Sequence, residues 1–134
     1  QIHRGGDGRT LVFLLEDEKL LQSLPPEARY YLAEGFRLRA EKAERPGKDK
    51  RSKEEIEAQR TSDTARAVQE YALTLGQAPD YAPTYEALAM QYYRIGDSSR
   101  ALDLFQRYVE LNPDPKQTGY ARQHIEMLSK ELAP

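Results

Sequence analysis

Residues 82–115 read APTYEALAMQYYRIGDSSRALDLFQRYVELNPDP, and this stretch decides the fold. Its first half carries Tyr85, Leu88, Ala89, Tyr92 and Ile95, the spacing of one apolar helix face. Asp80 stands where an N-cap is needed, and Pro83 suits a first turn, where a missing N–H leaves no bond unmade. Gly96-Asp97 closes that helix and opens the next. Ala101, Leu102, Phe105, Tyr108 and Val109 repeat the helical spacing over 98–111, and Asn112-Pro113 stops it. Asp114-Pro115 reads as an N-cap followed by a first-turn proline for a third helix. The spacing predicts a helical hairpin over 81–111 with a very short turn.

An offset of 34 residues brings the chain onto itself. Ala67 maps to Ala101, Val68 to Leu102, Tyr71 to Phe105 and Leu75 to Val109; Pro79-Asp80 then maps to Pro113-Asp114. The matched residues are small or apolar at helical spacing, followed by the same punctuation, so the second helix of a preceding repeat is expected over 61–76. Ser62 or Asp63 is its expected cap, with Gly76 near its end.

With these residues in view, 82–115 resembles a tetratricopeptide repeat. Tyr85 fills the large aromatic position, Leu88-Ala89 the Leu-Gly/Ala pair, Tyr92 the next aromatic, and Ala101, Phe105 and Pro113 the second-helix and terminal positions. Tyr108 departs from the pattern, which prefers a small residue there. In the same register the first helix of the preceding repeat falls at about 26–44, where Tyr31, Gly35 and Leu38 match and Ser23 with Pro25-Pro26 marks the start. The resemblance implies an all-α array of about two helical hairpins, the first interrupted by an insertion at about 45–60.

The insertion, RPGKDKRSKEEIEAQR, opens on a helix break and a basic run and ends in good helix formers. Its second half either extends the 61–76 helix backwards by two turns or stays outside it. A capping helix is expected at about 115–132, with Tyr120, Ile125, Leu128 and Leu132 inward and Gln117, Arg122, Glu126 and Lys130 outward. Residues 1–25 form an N-terminal segment ahead of the 26–134 repeat domain. Leu11, Leu14, Leu15 and Leu21 within it favour a capping helix over a strand. The chain begins at Gln1 rather than Met, as a processed chain or fragment does.

Composition narrows the function. Twenty basic residues against 22 acidic ones give a net charge of −2, against the basic excess of a phosphate-neutralising protein, so no nucleic acid is expected as partner. The run Lys48, Lys50, Arg51, Lys53 has no interleaved aromatics and is followed by glutamates, so it reads as a solvated loop. No stretch is long and apolar enough to enter a membrane. The chain has no cysteine, hence no thiol catalysis and no Cys-ligated zinc. Two histidines, His3 and His124, lie too far apart in sequence to suggest a metal site; His124 reads as structural. No nucleophile, phosphate-loop or metalloprotease motif is present, so no catalytic residue, metal or cofactor is expected.

The resemblance implies a protein–protein interaction module. In its register Arg29, Leu32, Phe36, Arg39, Glu86, Met90, Tyr93 and Arg94 line the concave groove, a mixture of aromatics, Met and Arg suited to a peptide or protein partner. The stretch from Ala82 to Gln123, with RYVELNP at 107–113, is also similar to the tetratricopeptide tails of bacterial envelope zinc metalloproteases. That second resemblance implies a non-catalytic regulatory or substrate-presenting tail and a periplasmic setting. Two repeats make a short array, which points to a homodimer or to packing on a neighbouring domain of a parent protein.

Overall fold

The computed structural model describes residues 23–43 and 51–134, and most of them lie in α-helices, with no strand among them. The chain divides into two compact units, Gln1–Thr74 and Leu75–Pro134. The N-terminal expectations for 1–22 and the first part of the insertion, 44–50, lie outside the described residues.

In the first unit, α1 spans Pro26–Ala43 and α2 begins at Lys53, running on to Gln77. The second half of the insertion is therefore helical and lengthens the expected helix backwards by two turns. Its cap is Ser52, not Ser62 or Asp63. The Ser52 hydroxyl accepts the Glu55 N–H at 3.1 Å and donates to the Glu55 carboxylate at 3.0 Å. Serine followed three residues later by glutamate is a helix-start signature, and here it outcompetes the later candidates.

Pairs between α1 and α2 run in opposite chain directions, so the two helices form an antiparallel hairpin. Arg29 bonds Glu70 at 2.7 Å, with both side chains buried. Arg39 holds Asp63 through two bonds of 2.9 and 2.8 Å. The Tyr71 hydroxyl donates to Glu34. Burial, reinforced by that carboxylate, pushes the Tyr71 phenol far above its ordinary range, so it remains a donor. Leu32, Ala33, Phe36, Ala40, Ala67 and Tyr71 supply the apolar part of the core. The Phe36 ring has the guanidiniums of Arg39 and Arg66 over it, at 5.5 and 5.2 Å from its centre.

The second unit contains α3 (Ala82–Arg94), α4 (Ser98–Leu111) and α5 (Pro115–Glu131). The turn between α3 and α4 is as short as the sequence predicts. Gly96 takes φ 88°, its N–H bonds Tyr93 O at 3.2 Å, and the Asp97 N–H bonds Tyr92 O at 2.9 Å. This paired closure of a helix end needs a left-handed residue, which glycine supplies without a Cβ penalty. Asp97 is at once the N-cap of α4, accepting the Arg100 N–H at 3.1 Å. Asp114 caps α5 in the same way, with Pro115 in the first turn.

The start of α3 differs from expectation. Tyr81, not Asp80, is the N-cap, and no side chain caps it. The entry is held instead by the Tyr85 hydroxyl, which donates to Pro79 O at 2.5 Å. Ile95 is the C-cap residue and 57% exposed, because α3 ends before that position turns inward.

Burial follows the 34-residue offset. Ala67 and Ala101 are both fully buried, as are Tyr71 and Phe105. Val68 and Leu102 are both half-buried, as are Leu75 and Val109. The repeat is thus a repeat of environment as well as of letters. The core of the second unit gathers Tyr85, Ala89, Ala101, Phe105, Tyr108, Ala121 and Leu128. Tyr108, the departure from the repeat pattern, is buried, with its hydroxyl 3.5 Å from Gln117 O at the α4–α5 turn.

Removing one partner of a buried ion pair strands the other in a poor solvent, at a cost of about 3–5 kcal/mol. Arg66 still reaches Glu70 at 3.4 Å, so Arg29→Met should lower the unfolding free energy in urea by less than that amount, and Arg29→Met/Glu70→Leu should recover most of the loss. Equal stability of the single variant and the parent would show that the pair is dispensable.

Candidate partner-binding surface

The eight residues that the tetratricopeptide register assigns to one groove divide between the two units, and their environments differ. In the first unit Leu32 is fully buried, and Arg29 and Phe36 are also buried. Arg39 is committed to Asp63 and lies over Phe36. Arg29, Leu32 and Phe36 present no open surface of the kind the groove requires, whereas the Arg39 side chain is 39% exposed. Conversely, Tyr31 is 57% and Leu38 42% exposed, although the register makes them core.

The correction has a simple geometric cause. A shift of one residue turns a helix face by about 100°. The stripe Arg29, Leu32/Ala33, Phe36, Ala40 is itself a helical face, and it carries more apolar surface than the stripe through Tyr31, Gly35 and Leu38. The hairpin buries the former. The aliphatic stem of Arg29 goes with it, and Glu70 meets its charge.

In the second unit the assigned residues do form a surface stripe. Glu86, Met90 and Tyr93 are half-buried on α3 at helical spacing, and Arg94 is exposed beside them. Met90 and Tyr93 pack against the edge of the core. The Tyr93 ring stands edge-on to His124 of α5, with centroids 5.0 Å apart at 86°. His124 stacks on Phe105 of α4 at 5.0 Å and 28°, and Tyr120 leans on it at 4.3 Å.

His124 Nδ1 lies 2.9 Å from Tyr120 O. A carbonyl oxygen only accepts, so Nδ1 is the donor of this bond. His124 is structural, as its place beside apolar positions suggests. Tyr120 is not: it is 52% exposed, and Leu132 is exposed too, so neither belongs to an inward side of α5. The inward positions are Thr118, Ala121, His124 and Leu128. Small residues at the first two let α5 approach closely, whereas the sequence reading weighted the large apolar ones. Tyr120 therefore joins the α3 residues as a surface aromatic that residue spacing alone had placed inside.

The acidic group of this stripe is Glu86. Burial holds its carboxyl above the usual carboxylate range, and His124 works against that shift. The Tyr108 phenol is raised by burial and then by the Glu86 charge. Glu86 thus lies within electrostatic reach of α4 and α5, yet among the described residues no hydrogen bond or ion pair compensates it.

Among the described residues no group of three or more His, Asp or Glu side chains is placed to hold a metal ion, and no helix is long and apolar enough to cross a membrane. Lys53 of the basic run is the first residue of α2. No protein-family model matches the chain, and no curated protein matches it.

A carboxyl whose folded-state pKa is raised costs stability once ionised, and that cost is absent below the unfolded pKa. Glu86→Gln should therefore raise the melting temperature at pH 7 by about 1–3 °C, a modest figure because the group is only half-buried. The gain should fade as pH falls into the ordinary carboxylate range. A variant less stable than the parent at pH 7 would show that the Glu86 charge is compensated.

Proposed function

We propose that this chain is a tetratricopeptide-type helical array and acts as a non-catalytic protein–protein interaction module. The α3–α5 face of its second unit is the docking surface. The observation that carries the reading is the mixed stripe of Glu86, Met90 and Tyr93, continued by the exposed Tyr120. Aromatic residues and Met are enriched where partners bury their anchors, because they offer large contact area at little entropic cost.

Two features support it. The buried positions of α2 recur in α4 at the 34-residue offset, as a helical repeat requires of its second helices. The surface also rests on a rigid base: His124 and Phe105 stack beneath Tyr93 and Tyr120, so the rings are positioned before a partner arrives. Of the groove residues read from sequence, Glu86, Met90, Tyr93 and Arg94 remain in this proposal; Arg29, Leu32 and Phe36 leave it because they are buried, and Arg39 belongs to the first unit and is not part of this face.

The test compares the full chain with Met90→Glu/Tyr120→Ser in affinity capture, with circular dichroism verifying equal helicity. A partner held by the parent chain and lost by the folded variant is the expected result. Equal retention by both would overturn the assignment of this face.

A further inference from the structure

We propose that the α3–α5 face of the second unit receives a lysine or arginine side chain of the partner, with Glu86 meeting the cationic end and Tyr93 and Tyr120 flanking it. The inference rests on the interaction-module reading and adds the chemistry of the occupant.

The argument starts from Glu86. It is half-buried on α3, one turn before Met90 and two before Tyr93, and among the described residues it has no hydrogen bond or ion pair, with His124 in electrostatic reach. A partner that covers this face removes more water from the carboxylate. An apolar side chain set over it would deepen the burial of an unpaired charge, and an acidic one would add repulsion. Both are selected against. A cationic side chain reverses the sign: a charge-assisted hydrogen bond replaces the lost water.

The surrounding side chains suit the rest of a lysine or arginine. Met90 offers a polarizable apolar contact to an aliphatic stem. Tyr93 and Tyr120 both touch His124, itself in electrostatic reach of Glu86, so the two rings and the carboxylate belong to one neighbourhood. Tyrosine faces attract ammonium and guanidinium groups.

The experiment uses a phage-displayed library of random twelve-residue peptides selected on the full chain. Enriched peptides should carry a lysine or arginine beside an apolar residue. In a synthetic copy, replacing that residue by norleucine should weaken binding about tenfold or more. Glu86→Gln should weaken it by a similar factor and Tyr120→Leu about threefold, whereas Glu110→Gln, at an exposed carboxylate of α4 paired with Arg107, should not weaken it at all. Glu86→Gln is expected to be at least as stable as the parent, so its loss of binding is not loss of fold.

Peptides that bind without basic preference, or that bind Glu86→Gln as tightly as the parent, overturn this inference and leave the module reading standing. A library from which nothing is enriched removes the module reading and this inference with it.

Discussion

The second unit is organised around one ring. His124 of α5 stacks on Phe105 of α4 and receives the edge of Tyr93 from α3, so three helices meet at a single imidazole. Its Nδ1 proton is tied to the carbonyl one turn earlier, which fixes the plane of the ring. The fixed plane then sets where Tyr93 and Tyr120 can stand. A purely aliphatic residue would fill the space but would not define the orientation of two neighbouring aromatics. The surface chemistry of α3 is thus a consequence of a packing decision on α5.

The two units solve burial in different ways. The second relies on aromatics, alanines and Leu128 closing on each other with few charges inside. The first buries Arg29, Asp63 and Glu70 among its apolar residues and lets ion pairs join α1 to α2. Ion pairs of this kind add little net stability over a well-packed apolar seam, but they penalise misregister heavily. Sliding α1 by one turn against α2 would separate both Arg29 from Glu70 and Arg39 from Asp63. A helix as weakly amphipathic as PEARYYLAEGFRLRAEKA gains its alignment from these pairs.

Much of the second unit was legible in the letters. Pro-Asp and Gly-Asp punctuation located the turns, because their backbone demands are local and few residues meet them. The repeat located the buried positions of α2 and α4, since identical spacing imposes identical environment. Legibility failed where a register was imposed on residues that had a competing face. In α1 the register taken from the resemblance chose Tyr31 and Leu38, whereas the apolar stripe through Leu32 and Phe36 prevailed. In α5 the spacing of the large apolar residues put Tyr120 and Leu132 inside with Leu128, whereas Thr118 and Ala121 share the inward face with His124 and Leu128. The unpaired state of Glu86 was not legible at all, since it depends on which groups from α4 and α5 fail to reach it.

The joint between α3 and α4 has a mechanical consequence. Gly96 and Asp97 both belong to the closing bonds of one helix, and Asp97 simultaneously opens the next. No residue is left over to act as linker. The two helices therefore cannot pivot independently, and a load applied to α3 is delivered to α4 as tilt rather than absorbed as slack. The hairpin behaves as a bracket, and whatever grips its first arm also holds its second.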